Sequence, residues 1–277
     1  MSMQVHQFGA PVADPFARAE RLLCSFSCGV TSAVATKRAI EANDGRLPVS
    51  IMYLETRSEH QDNVRFRREC EEWFGHPIIG LGSAKYKDIW DVFSRERFIA
   101  GVGGAKCTTV LKKQVAEKFE RVSDLHAFGF EFDRRQIARA ERMWANQPEI
   151  MGWFPLIDAK ITKDDCKRIV TEAGIALPVM YELGFDNNNC IGCPKGGNAY
   201  WNRIRQHFPE VFERMVAQAR ALNVKTIKLT ENGIRRRAFL DELPLDATDD
   251  APVDMTCGVV CDQSAFEDLP AVDGKAA

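Results

Sequence analysis

The sequence predicts an α/β fold: a doubly wound, mostly parallel five-stranded sheet flanked by helices, followed by a C-terminal helical region that bears cysteines. Three observations predict it. Short apolar runs alternate with amphipathic segments up to about residue 160, the pattern of a parallel sheet covered on both faces. The 277 residues, 45% of them hydrophobic, are enough to bury the core that such a sheet needs. From about Ile161 the alternation gives way to helices and a Cys/Asn/Gly-rich loop.

Each element has its own reason. Residues 1–20 read as a loosely held arm. Residues 21–27 (RLLCSFS) are an apolar run and read as a buried strand, which breaks at Cys28-Gly29 and gives way to a helix over 31–41. Residues 49–55 (VSIMYLE) read as the second strand, the charged amphipathic stretch 60–74 as a helix, and 77–81 as a third strand. Helices are expected over 88–97 and 109–121, a strand over 124–130, a helix over 133–146 and a strand or extended segment over 152–157. A helix over 162–174 has Thr162 as its N-cap, with Asp165 three residues on. Residues 187–197 are a loop, and 199–222 are helical except at Pro209, which starts a new helix near Glu210. The chain thus divides into an arm (1–20), an α/β domain (21–160), a helical cysteine region (161–265, with an acidic linker over 248–254) and a frayed tail (266–277).

Lys and Arg number 37 against 39 Asp and Glu, a net charge of −2, which removes a chain-wide electrostatic case for nucleic-acid or acidic-membrane binding. The local basic cluster Arg235-Arg236-Arg237 leaves a nucleic-acid substrate open, against a solvated surface. No apolar stretch approaches the roughly 18–20 residues of a membrane span, and residues 1–18 lack a signal-peptide core. A cytoplasmic protein with no membrane partner is expected. In a reducing cell the nine cysteines read as buried hydrophobes, metal ligands or reactive thiols rather than disulfides.

Ser27-Cys28-Gly29-Val30-Thr31-Ser32 lies between a strand and a helix N-terminus. Gly29 permits close backbone approach, and Ser27, Thr31 and Ser32 add hydroxyls to the helix's free N–H groups. Together they make a cradle for phosphate or sulfate, the alternative being an ordinary capped turn. Walker glycine spacing is absent. Lys106, Lys112, Arg134, Arg135 and Arg139 fall near strand ends or early helix turns, where they could neutralise a phosphate. Glu55, closing the second strand, is placed to accept from ribose or adenine, or to cap a helix.

Cys190-Ile191-Gly192-Cys193 and Cys257-Gly258-Val259-Val260-Cys261 are two short-spaced pairs, the requirement of a four-thiolate site. Gly and Asn let the backbone curl so that its N–H groups face the sulfurs, and the occupant is a [4Fe–4S] cluster or Zn²⁺. Four independent thiols, or a staple for the tail, are the alternatives. Cys28, at a helix N-terminus, is expected to have a lowered thiol pKa unless it packs beneath the loop. Cys24, Cys70 and Cys166 read as core, and Trp201, Phe208, Phe212 and Met215 as a packing stripe.

The loop at Ser27 resembles the Ser-Gly-Gly-x-Asp-Ser pyrophosphate loop of the adenine nucleotide alpha hydrolase-like (PP-loop) superfamily, with Cys28 for the first Gly and Thr31 for Asp. Three further segments resemble its phosphoadenosine phosphosulfate (PAPS) reductase family. They are Cys107-Thr108-Thr109-Val110-Leu111-Lys112; Gly129-Phe130-Glu131 with Arg134, Arg135 and Arg139; and Phe154-Pro155-Leu156-Ile157-Asp158 with Thr162 and Asp165. The resemblance runs over residues 22–261. Residues 189–209 and the CGVVC tail resemble a subgroup from bacteria and their phages. Cys257-Gly258 matches the reductases' C-terminal Cys-Gly, although Thr256 replaces its Glu and Val260 stands where His falls.

The resemblance implies thiol-dependent reduction of an adenylyl sulfate, PAPS or its relative APS, with Cys257 as nucleophile. If Cys257 is instead a cluster ligand, Cys107 or Cys28 takes that part. Thioredoxin or glutaredoxin would be the partner, and a homodimer is left open. One alternative is an ATP-dependent sulfur transferase or nucleic-acid modification enzyme, using Mg²⁺-ATP and a cysteine-bound cluster; the loss of Asp at Thr31 weighs against it. The other is an inactive nucleotide-binding accessory protein.

Overall fold

Arg21–Phe26 is buried along almost its whole length, as an interior parallel strand must be, and forms β1 at the centre of the sheet. The computed structural model describes residues 5–7, 10–12, 14–101, 104–231, 233–249, 253 and 255. Around β1 stand β2 (Val49–Glu55), β3 (Ile78–Gly82), β4 (Asp124–Ala127) and β5 (Met151–Trp153), all parallel, in the order β3-β2-β1-β4-β5. The register runs Leu22↔Val49 on one side of β1 and Leu22↔Leu125 on the other. The expected doubly wound five-stranded sheet is therefore the fold. Its connections reverse direction between β1 and β4, and such a switch point opens a crevice at the strands' carboxyl ends.

The helices fall where amphipathic segments predict them: α1 (Val30–Asn43), α2 (Asn63–Phe74), α3 (Ile89–Glu96), α4 (Arg134–Asn146) and α5 (Lys163–Glu172). The N-terminus of α5 is a reciprocal capping box, with the Thr162 hydroxyl accepting from the Asp165 N–H while the Asp165 carboxylate accepts from the Thr162 N–H. Pro209 separates α6 (Asn198–His207) from α7 (Pro209–Ala221), occupying the first turn of α7, where its missing N–H costs nothing.

Four differences from the sequence reading have local causes. The helix expected over 109–121 is a widened π-type turn, Thr108–Lys113, running into a short helix, Gln114–Ala116. The β-branched run Thr108-Thr109-Val110 disfavours a regular α-helical start. The strand expected over 124–130 ends at Ala127, because Phe128–Phe130 turn away toward α1. The segment expected over 152–157 stops at Trp153, and Pro155 opens a helical turn, Pro155–Asp158. An antiparallel hairpin, β6 (Ile227–Glu231) and β7 (Ile234–Ala238), was not assigned from sequence.

Two large apolar clusters form the core, one on a face of the sheet and one beside the sheet; the sheet's other face is covered by a smaller cluster of Leu23, Met52, Leu54 and Ala116. The first joins β1, α1, α2 and α5 and includes Phe26, Phe66, Cys24, Cys70 and Cys166. The second joins α3, α6, α7 and the hairpin around Trp90, Phe93, Trp201, Phe212 and Met215, with Phe208 packed at its edge. The three cysteines are core, as expected, and burial pushes the Cys24 and Cys166 thiols up to about 12. The aromatic and Met stripe is packing. Among the described residues no helix is long and apolar enough to cross a membrane.

Candidate functional site: a cleft joining an anion loop and a thiol pair

β1 ends at Phe26, and the chain must turn sharply into α1. It does so through Cys28, a non-glycine residue in the left-handed region (φ 58°). The Ser32 hydroxyl accepts from the Ser27 N–H (3.0 Å), donates to the Gly29 carbonyl (2.8 Å) and lies 3.2 Å from Ser27 Oγ. These bonds hold the loop open beside the start of α1. The Val30 N–H meets the Tyr181 hydroxyl at 3.3 Å. Gly129, after β4, closes in from the other side: a Cβ there would sit 2.7 Å from Ser32 Cα, so only glycine fits.

Above the strands' carboxyl ends lies a cleft of about 1260 Å³. Of the residues singled out from sequence, it is lined by Ser27, Gly29, Thr31, Ser32, Cys107, Lys112, Arg135, Arg139, Cys190 and Cys193. Arg139 is buried, its guanidinium 4.2 Å from the Phe130 ring centroid. Four others do not line the cleft. Glu55 pairs with Arg67 (3.2 Å), Lys106 pairs with Glu96 (3.6 Å), Arg134 is exposed at the start of α4, and Cys28 is fully buried beneath the loop. Of the two readings of Cys28, packing beneath the loop holds and the lowered thiol pKa does not: burial, reinforced by the negative charge of Glu59, pushes it up to about 12.

The cysteine loop forms the opposite wall, and Cys190 and Cys193 are both buried in it. Its N–H groups do not all turn toward sulfur. Those of Gly192 and Cys193 donate to the Tyr200 hydroxyl, both at 2.9 Å, and that hydroxyl donates to the Cys190 carbonyl at 2.8 Å. Gly192 is in the left-handed region (φ 85°), and a Cβ there would meet Val211 at 2.9 Å. Cys190 Sγ lies 2.9 Å from Thr56 Oγ1 and 3.9 Å from Glu59 Oε1, and the Ile191 N–H donates to the Ser58 carbonyl (2.8 Å). The loop is thus docked on the segment that follows β2.

Asn188, also buried, ties the two walls together: its amide nitrogen donates to the Cys28 carbonyl and to Asn63 Oδ1, each at 2.7 Å. Sequence reasoning missed Asn188, Tyr181, Tyr200, Thr56 and Glu59. The run of three asparagines ahead of Cys190 was the available signal for the first.

Cys257, Cys261 and the frayed tail lie outside the described residues, as does most of the acidic linker. Among the described residues no group of three or more His, Cys, Asp or Glu could hold a metal. Cys190 and Cys193 supply two thiols of the right chemistry for iron or zinc, half of a four-thiolate set. The chain returns to them near its end: Asn189 Nδ2 donates to the Met255 carbonyl at 3.0 Å.

No family model matches the chain. A Methanocaldococcus jannaschii protein described as uncharacterized, MJ0973, is 24% identical to it over 197 residues, which make up 69% of this chain and 46% of that relative. The chain therefore spans about half the length of the curated relative it matches.

Proposed function

We propose that the cleft binds an adenylyl sulfate, PAPS or APS, and that a cysteine thiol reduces its sulfur. One observation carries this reading: the anion loop, cationic side chains that include Lys112, Arg135 and Arg139, and the Cys107, Cys190 and Cys193 thiols line a single cleft. In this reading the loop's N–H groups and Arg135 hold the phosphate, and stabilise the charge that gathers on it as it leaves. A thiolate attacks the sulfonyl sulfur. The bond from sulfur to the phosphate oxygen breaks, and its electron pair leaves with AMP or adenosine bisphosphate. The sulfonate is now on the cysteine. A second thiol attacks that cysteine's sulfur, forming a disulfide and expelling sulfite, and a thioredoxin- or glutaredoxin-type dithiol returns two electrons. Between the two alternative nucleophiles the geometry favours Cys107, which lines the cleft, over Cys28, which does not.

A second reading is favoured by the Asn189–Met255 bond, which brings the chain to the cysteine loop two residues ahead of Cys257. There Cys190, Cys193, Cys257 and Cys261 would hold a [4Fe–4S] cluster or Zn²⁺, and the cleft would take ATP for sulfur transfer. A cluster would supply a site for binding sulfur; the chain's own residues would bind and orient the nucleotide beside it.

Sulfite release by anaerobically purified protein, supplied with PAPS or APS and a thioredoxin reducing system, separates the two. Sulfite above the no-enzyme control, reduced at least about 100-fold by Cys107→Ser or by Cys257→Ser, is the result expected for the reductase and identifies its nucleophile. Recovery of intact PAPS and APS overturns it and leaves the ATP-dependent reading.

A further inference from the structure

The hairpin of β6 and β7 presents two unlike faces. Ile227, Leu229 and Ala238 are buried against α6 and α7. The register Lys228↔Arg237 and Thr230↔Arg235 puts these four residues together on the opposite face, where three of four are basic and none is acidic. Lys225, just before the hairpin, is exposed and basic as well. The nearest acids in sequence are bound elsewhere, Glu231 and Glu242 by Arg236 on the other face, at 2.7 and 2.8 Å, and Asp241 by Arg220 at 2.8 Å. Arg235 and Arg237 make no ion pair among the described residues; Arg237 reaches only the Lys225 carbonyl, at 3.4 Å. Ile234, at the tip, is 72% exposed.

We propose that this face binds duplex DNA. A two-stranded ribbon fits the major groove, which is about 12 Å wide. Arg235 and Arg237, two residues apart on one strand and so about 7 Å apart, contact phosphates, with Lys228, directly opposite Arg237, on the same face. Arginine is suited to this by its planar fork of donors. The chain's net charge of −2 does not oppose binding, since at 0.1 M salt charges more than about 10 Å away are largely screened. The hairpin also adjoins the cleft: Asn198 Nδ2 donates to the Lys228 carbonyl at 3.0 Å, and its neighbours Gly197 and Ala199 line the cleft. The proposal goes beyond the cleft's chemistry and does not rest on it.

The test is fluorescence anisotropy of a labelled DNA duplex of about 20 base pairs, titrated with the full chain between about 50 and 200 mM salt. Single-stranded DNA and duplex RNA of the same sequence serve as parallel arms. The expected result is micromolar binding to duplex DNA at low salt that weakens as salt rises. In the double variant R235Q/R237Q affinity falls at least about tenfold, and the slope of log affinity against log salt is shallower by about two. Melting temperature shows that the variant is folded; should the double variant not fold, R235Q alone is used, because the Arg235 side chain holds no partner among the described residues. No duplex binding by the native chain, unchanged binding by the variant, or tighter binding to either parallel arm overturns the proposal.

Discussion

Gly129 shows how narrow the margins are at single positions. Its Cα faces the backbone of Ser32, and an added methyl would lie 2.7 and 2.8 Å from Ser32 Cα and N, atoms that no side-chain rotation can move aside. Gly129→Ala must therefore push the segment after β4 away from the loop that begins α1. Overpacking of this kind costs about 1–3 kcal/mol. The expected outcome is a melting temperature several degrees lower by circular dichroism, together with weaker stabilisation by added adenine nucleotide. Cys28 is the second such position: it holds the left-handed turn that a glycine would hold without strain, and its side chain points into the core.

This separates what was legible in the sequence from what was not. That a polar loop followed β1 could be read from RLLCSFS giving way to Gly29 and the alanines of α1. Whether the Cys28 thiol faces the cleft or packs beneath the loop stays open between two readings of the sequence, because its direction depends on a backbone angle that leaves no trace in periodicity. Asn188 stands in a run of three asparagines that could be noticed, but its partner carbonyl at Cys28, 160 residues away, could not be read from the sequence.

At the scale of elements, α6 takes its N-terminal cap from outside its own neighbourhood. Asp249 accepts from the Asn198 N–H at 2.6 Å and from the Ala199 N–H at 3.1 Å, two of the donors that the first turn leaves unpaired. A carboxylate here also meets the positive end of the helix dipole. Asp249→Ala should cost about 1 kcal/mol, seen as a melting temperature about 2–4 °C lower in calorimetry. Local caps such as Thr162 with Asp165 are legible because donor and acceptor are three residues apart; this one closes over some fifty. The hairpin escaped for another reason. Its apolar alternation, Ile227, Leu229 and Ala238, is sparse, and the consecutive Arg235, Arg236 and Arg237 read as surface charge, which hides the ion pairs of Arg236 with Glu231 and Glu242. By contrast β2, a continuous apolar run, was read with both ends correct.

Across the whole molecule, the end of the sheet away from the cleft carries an opposed pair of titrating groups. Arg21 and Asp124 form a buried bidentate ion pair between β1 and β4, with bonds of 2.7 and 2.5 Å. Beside it, Glu120 Oε1 lies 3.9 Å from His126 Nδ1. Burial, helped by Asp124 and Glu117, raises the Glu120 carboxyl from 4.5 to about 7, and burial lowers the His126 imidazole from 6.5 to about 4. Between pH 4.5 and 6.5 both are neutral in the folded chain, so the contact is not an ion pair. Unfolding in that window releases a proton from Glu120 and takes one up at His126. The Glu120 contribution to stability is complete below 4.5 and is lost as pH rises to about 7, whereas that of His126 is complete above 6.5 and is lost as pH falls to about 4. Glu120→Gln removes only the first. Its melting temperature, relative to that of the native chain, should therefore climb steadily from pH 4.5 to 7, in a series of scans at constant ionic strength.

The cleft draws its walls from Ser25 through to Met255. On the ribosome the loop after β1 emerges early, and Met255 follows roughly 10–50 s later at ordinary elongation rates of 5–20 residues per second. No nascent or prematurely terminated chain can own the finished pocket. A chain interrupted before Met255 would carry the loop of Cys190 and Cys193 without the Asn189–Met255 bond, and so with one tie fewer to hold that wall of the cleft in place.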